Sequence, residues 1–261
     1  MALIACSSPP GINKYKDIPS PPDNPITEQG VALGKYLFYS TTLSLNEDIS
    51  CASCHLPGSA LASNARTAAA HKMDAPLLNV PPLFNLAWHN NFFYNGGGKQ
   101  LESAVLMPLI NEREMAAGFK TVLFRLNTKA NVRQMGMNAF EVDTINAALI
   151  AKALAQYLRT VVSFNTKLDS FYTSGDTCIL QADELAGLSV YTAHCKSCHP
   201  PPLFTDLDYH KVIRYQPADH ADLRRAQVSR KEEDAGKVKT PSLRNLKYTF
   251  PYGHIGKFKT L

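Results

Sequence analysis

Two pentapeptides constrain this chain more than any other feature: Cys51-Ala-Ser-Cys54-His55 and Cys195-Lys-Ser-Cys198-His199. Two thiols three residues apart fit one helical turn, and a histidine directly after them reaches over whatever the thiols hold. This is the spacing of covalent c-type haem attachment. The cysteines become thioethers to the two vinyl groups, and the histidine is the proximal iron ligand. With 6 Cys and 8 His in 261 residues, two chance occurrences of the pattern are negligible. Zinc uses the same ligand types, but zinc ribbons place their second cysteine pair about 15–20 residues after the first. Here Cys195 follows Cys54 by 141 residues. A redox dithiol has no need of a histidine after both pairs. The sequence reads as a protein with two covalently bound haem c groups.

A chain of 261 residues accommodates two modest domains, one for each motif. No stretch approaches the ~20 apolar residues of a membrane span. The net charge of +5 is mild, and propionates on two haems would offset most of it. No basic face argues for nucleic acid. The segment Leu3-Ile4-Ala5-Cys6-Ser7-Ser8 resembles a bacterial lipobox, with a Pro-rich stretch after it that suits an extended tether. Only five residues precede Cys6, too few for an export signal, so the sequence is expected to begin within its signal peptide. The alternative is an incidental cysteine in a disordered tail. Covalent haem attachment outside the cytoplasm supports export independently, which predicts a periplasmic, lipid-anchored protein. With four cysteines taken by haem, Cys178 is expected to be a buried small residue.

Thr27 to Tyr39 predicts a helix with Val31, Leu33, Leu37 and Phe38 as its apolar positions. Asp143 to Phe164 predicts a long amphipathic helix, with Asp143 as N-cap and an apolar stripe of Ile145, Leu149, Leu154, Leu158 and Val161. Ala182 to Cys195 predicts the helix presenting the second motif, with Leu185, Leu188 and Tyr191 inward. Pro200, Pro201 and Pro202 stop any helix after His199. The charged run Arg224 to Lys239 reads as a solvated surface loop, or as a docking surface for an electron donor. The expected fold is mainly α, with few or no strands: a tether over 1–25, one haem domain over 26–165 and a second over 166–261.

Several motifs in order resemble the bacterial di-haem cytochrome c peroxidases and the related MauG-type enzymes. They are Leu33-Gly34-x-x-Leu37-Phe38, Leu43-Ser44 and the first haem motif; then Asn79-x-Pro81-x-Leu83-Phe84-Asn85-Leu86-Ala87-Trp88 and Phe92-Phe93-Tyr94-Asn95-Gly96-Gly97. Leu101-Glu102, Pro108, Asn111 and Glu114-Met115 follow, and after the second haem motif Lys239-Thr240-Pro241-Ser242-Leu243-Arg244-Asn245 and Pro251-Tyr252-x-His254. The resemblance implies a peroxidatic haem in the N-terminal half and an electron-transfer haem in the C-terminal half. It implies that Glu114 is the distal acid. Peroxide cleavage needs a proton moved between its two oxygens, which one carboxylate can relay. Without the resemblance, Glu114 reads as a solvated helix acid.

Two departures stand out. The family's distal Gln, ten residues before the Glu, is here Ala104, which offers no hydrogen bond to a bound oxygen. The family's Trp before Asp-Gly is here Tyr94, so Tyr94 or Trp88 would carry electrons between the haems, unless Trp88 is core packing. His71 precedes Asn79 by eight residues, where inactive resting members place a sixth ligand on the peroxidatic haem; a solvated loop histidine is the equal alternative. The resemblance also implies one Ca2+ held by the Asn79 side chain and the carbonyls of Thr249 and Pro251. The distal ligand of the second haem, Met in the peroxidases and Tyr in the MauG type, belongs beyond Leu261, so the chain reads as a piece lacking its last helix. The expected substrate is hydrogen peroxide and the expected donor a small protein such as a cytochrome c; a homodimer is left open. A MauG-type oxidase acting on another substrate and a non-catalytic electron carrier are the alternative functions.

Overall fold

The computed structural model describes residues 18–67, 78–211 and 224–261. Helix α1 (Glu28–Tyr39) starts where Thr27 accepts the Gly30 N–H at 3.0 Å, the side-chain cap a helix start requires. It buries Leu33, Leu37 and Phe38 against α7 (Ala147–Thr160), described below. The two helices approach closely because Gly30 and Gly34 have no side chain. A methyl group at Gly34 would overlap the Ala153 carbonyl, and one at Gly30 the amide of Gln156.

One-turn helices α2 (Cys51–Cys54), α3 (Leu101–Ala104) and α4 (Met107–Ile110) stand in the loops that follow. Helices α5 (Phe119–Thr128) and α6 (Ala130–Phe140) form a hairpin beside α1. Helix α7 begins at Asn146, whose side chain accepts the Leu149 N–H at 3.0 Å; Asp143 is not its cap. The cause lies in another helix. Asn127 donates to the Ile145 carbonyl at 2.8 Å and accepts its N–H at 2.7 Å, so residues before Asn146 are held outside the helix. At the far end Asn85 does the same to Ser163, at 3.1 and 2.7 Å, so α7 stops at Thr160 rather than Phe164.

A buried polar network ties these pieces together. Glu102 of α3 meets Arg159 of α7 in a two-point ion pair at 2.6 and 3.0 Å and accepts from Asn24 at 2.7 Å. Gln156 donates to Asn24 at 2.8 Å and accepts the Thr27 N–H at 3.0 Å. The main apolar cluster runs from Leu33 to Leu158.

Beyond Asn165, α8 (Lys167–Ser174) opens on a reciprocal cap between Thr166 and Asp169 and ends at Gly175, whose φ of 71° suits glycine. Helix α9 (Ala182–His194) leads into the second motif with no fully buried residue; Leu185, Leu188 and Tyr191 are only half-buried. Strands β1 (Tyr209–His210) and β2 (Val238–Lys239) form a two-residue antiparallel pair, and α10 (Arg225–Ser229) lies between them in sequence. Two expectations fail here. Cys178 is exposed rather than buried, because Asp176 turns the chain at the surface by accepting the Cys178 N–H at 2.8 Å. The charged run 224–239 is not simply a solvated loop. Arg225 lies 4.2 Å over the Tyr209 ring and donates to the Asn95 carbonyl, and Lys239 is buried.

Candidate functional site

Helix α2 is a single turn that carries Cys51 and Cys54, with His55 directly after it. Ser50 and Ser53 close its start, with the Ser50 N–H donating to Ser53 Oγ at 3.0 Å. His55 N–H donates to the Cys51 carbonyl at 2.8 Å, which carries the turn into the histidine. His55 Nδ1 lies 2.9 Å from the Leu61 carbonyl. A carbonyl only accepts, so Nδ1 carries the proton and Nε2 keeps its lone pair for a metal. Burial pushes the imidazole down to about 4, against the carbonyls of Leu61 and Pro81 that favour its protonation. The ring is therefore neutral, as a ligand must be.

These residues line a cavity of about 500 Å3, within the usual span of cofactor pockets. Its apolar walls include Phe38, Leu101, Leu154 and Leu158. Burial pushes Cys51 up to about 12 and raises Cys54, the latter helped by the Glu114 charge. Among the described residues the one trio whose ligand atoms converge on an ion-sized point is Cys198, Asp206 and His210. The residues around Cys51, Cys54 and His55 thus fit a haem better than a bare ion.

Glu114 lines the same cavity, as do Ala104, Pro108, Asn111 and Met115. Asn111 Nδ2 donates to Glu114 Oε1 at 2.7 Å, and the Glu114 N–H returns to the Asn111 carbonyl at 2.9 Å. Burial raises the Glu114 carboxyl above its ordinary value, and the Asn111 bond pulls it part of the way back. Ala104 is 5% exposed and contributes a methyl group where the family motif has an amide. Tyr94 also lines the cavity; burial raises its phenol well above the ordinary value, and its ring stands 6.2 Å from that of His254. Trp88 does not line it. Its ring meets Phe164 edge-on at 4.9 Å.

The second motif repeats the local geometry. His199 N–H donates to the Cys195 carbonyl at 3.0 Å, and His199 Nδ1 lies 3.1 Å from the Phe204 carbonyl, the same kind of backbone anchor that Leu61 gives His55. Tyr191 Oη donates to the His199 carbonyl. Cys195, Cys198 and His199 are half-buried and lie outside the cavity. Asn79 is buried, donating to the carbonyls of Ala65 and Arg66 at 3.3 Å and through its backbone to that of His254. Thr249 N–H donates to the Leu246 carbonyl, and Pro251 is buried. His71 and Cys6 lie outside the described residues.

Sequence reasoning missed the polar wall of the cavity, made by His89, Asn91, Arg224 and Lys239. Lys239 heads a recognised motif, but nothing in its spacing says that it turns inward.

A family model described as di-haem cytochrome c peroxidase matches residues 28–177. The methylamine utilization protein MauG of Methylorubrum extorquens is 33% identical over 251 residues, spanning 94% of this chain and 70% of that protein. The cytochrome c551 peroxidase of Nitrosomonas europaea is 30% identical over 232 residues, spanning 88% and 69%. The crystal structure of a MauG-like protein associated with microbial copper homeostasis superposes with a TM-score of 0.85 at 28% identity, covering 95% of this chain and 78% of that one. The mainly helical architecture with its two-stranded sheet matches the expected fold. With its haem motifs, cavity and relatives in agreement, the chain belongs to the di-haem cytochrome c peroxidase family of oxidoreductases.

Proposed function

We propose that this protein reduces hydrogen peroxide to water with electrons from a small donor such as a cytochrome c. The observation that carries the reading is Glu114, a carboxylate raised by burial on the wall of the cavity that holds Cys51, Cys54 and His55. Cys51 and Cys54 would hold haem as thioethers and His55 Nε2 would bind its iron; haem supplies the redox chemistry of the site. Peroxide, two protons and two electrons give two waters, so the protein must move protons where peroxide sits. Glu114 takes the proton from one oxygen and returns it to the one that leaves. Asn111 aims the carboxylate through Oε1 and leaves Oε2 for that transfer. Cys195, Cys198 and His199, outside the cavity, would hold the second haem, which takes electrons from the donor protein. Tyr94 would serve as the aromatic bridge between the two. No step of this reading runs through calcium. A periplasmic location, with Cys6 as a lipid anchor, belongs to the same proposal; among the described residues no helix is long and apolar enough to cross a membrane.

A second reading has its own observation. Ala104 removes the amide that would help hold peroxide, and a relative at 33% identity is a MauG protein. Oxidation of a different substrate therefore stands as the alternative. The test is peroxide-dependent oxidation of reduced cytochrome c by protein matured with both haems. Turnover supports the peroxidase. No turnover from doubly loaded protein, oxidised or half-reduced, leaves the MauG-type oxidase or a plain electron carrier.

The Asn111 contact makes a pH prediction. Glu114 must be ionised to accept a proton, so activity is lost as pH falls through its pKa. Asn111→Leu removes the bond that lowers this value, and the acid limb of kcat/KM against pH should move to higher pH. An acid limb that stays in place would show that Glu114 is not the titrating base.

A further inference from the structure

The cavity wall carries three cationic side chains, Arg113, Arg224 and Lys239, against a single carboxylate, Glu114. Arg113 is exposed beside Glu114, whereas Lys239 is 7% exposed. Its backbone is pinned from both sides, by the β1 pairing and by donation to the Tyr94 carbonyl at 2.9 Å. Its ammonium donates to the Asn91 carbonyl and faces His89 Nδ1 at 3.4 Å. An ammonium has three N–H donors, and the longer of these two contacts is weak. Among the described residues no carboxylate pairs with Lys239. Burial accordingly pulls it down to about 8, and its charge in turn helps burial push His89 down to about 3. His89 is therefore a neutral acceptor that steadies the amine rather than a competing cation.

A buried cation without a counter-charge is costly, so such a group either loses its proton or meets an anion. Haem brings that anion. Its two propionates sit on the edge of the ring away from the vinyl groups, and the vinyl edge is fixed on α2 by Cys51 and Cys54. The propionate edge then faces away from α2, and among the cationic side chains that line the cavity Lys239 is the one that is buried. We propose that the Lys239 ammonium, held by Asn91 and His89, pairs with a propionate of the haem attached at Cys51 and Cys54. This pairing rests on haem attachment at those two cysteines. It makes Lys239 a positioning residue that links the haem of the first half to a strand of the second.

The test compares Lys239→Met and Lys239→Arg with the parent protein, each matured with haem and with its haem content measured by mass. Resonance Raman spectra report the propionate bending band, and a spectroelectrochemical titration reports both reduction potentials. Removing a cation beside the haem should shift the propionate band and lower the potential of the Cys51/Cys54 haem, while the Cys195/Cys198 haem keeps its own. Lys239→Arg should retain most of the parent behaviour in both readouts. A fully loaded Lys239→Met with an unchanged band and potential overturns the pairing alone. Parent protein without haem on Cys51 and Cys54 overturns the attachment and the pairing together. If Lys239→Met does not mature, Lys239→Gln gives the same reading through its charge loss.

Discussion

Glu114→Gln is expected to cut peroxide turnover by about 10²–10⁴-fold, the range that general acid–base catalysis contributes. The substitution keeps the size of the side chain, and its amide oxygen still accepts from Asn111 at the same place. What it removes is the ability to take a proton at neutral pH. Because the proton must leave one peroxide oxygen before the bond between oxygens breaks, the loss should appear in kcat/KM and in kcat alike. Haem content, the potential of the Cys195/Cys198 haem and thermal stability should stay near the parent values, since Glu114 sits in a turn outside the helices and makes no ion pair among the described residues. Stopped-flow mixing with peroxide, read at the Soret band, separates the proton step from electron delivery by the donor. A variant that keeps more than a tenth of the parent rate would remove Glu114 from the chemistry.

How much of this was written in the local sequence depends on where each structural decision is made. Helix α1 was legible because its cap, Thr27, and its apolar positions are neighbours in the chain. Both haem motifs were legible for the same reason, since five consecutive residues hold the whole pattern. The ends of α7 were not. Asn127 and Asn85, 18 and 78 residues from the backbone groups they clasp, shorten that helix at both ends. Cys178 departs from the usual burial of cysteine because that burial is an average, and here an aspartate two residues away sets a surface turn. Lys239 and Arg225 sit in a run whose composition says solvent. Their partners, Asn91, Asn95 and Tyr209, come from segments that only the fold brings together. Motifs that act through covalent spacing could be read from the chain. The walls around them depend on tertiary packing.

Arg244→Met should cost about 3–5 kcal/mol of stability, because it leaves a buried carboxylate without its counter-charge. The guanidinium makes a two-point ion pair with Asp169, one bond at 2.9 Å, with side-chain exposures of 4% and 7%. It also donates through Nε to the Pro202 carbonyl at 2.9 Å and lies over the rings of Phe164 at 4.7 Å and Phe204 at 5.2 Å. Phe164 in turn carries the edge of Trp88, and the Phe204 carbonyl holds His199. One arginine thus connects the cap of α8, the loop after the second motif and the segment leaving α7. Burial alone would raise Asp169; the bonds from Arg244 and Thr166 outweigh it and hold the carboxyl below its usual range. A carboxyl depressed on folding stabilises the protein above its unfolded pKa of about 3.9, and that contribution is lost as pH falls through the lower folded value. The stability gap between parent and variant should therefore be widest near neutral pH and narrow in acid, as followed by circular dichroism melts. The double variant Arg244→Met with Asp169→Asn should be less damaged than the two single losses added together, because the stranded charge is gone. Additive losses, or a gap that is flat with pH, would mean that Arg244 stabilises by packing between Phe164 and Phe204 rather than by pairing with Asp169.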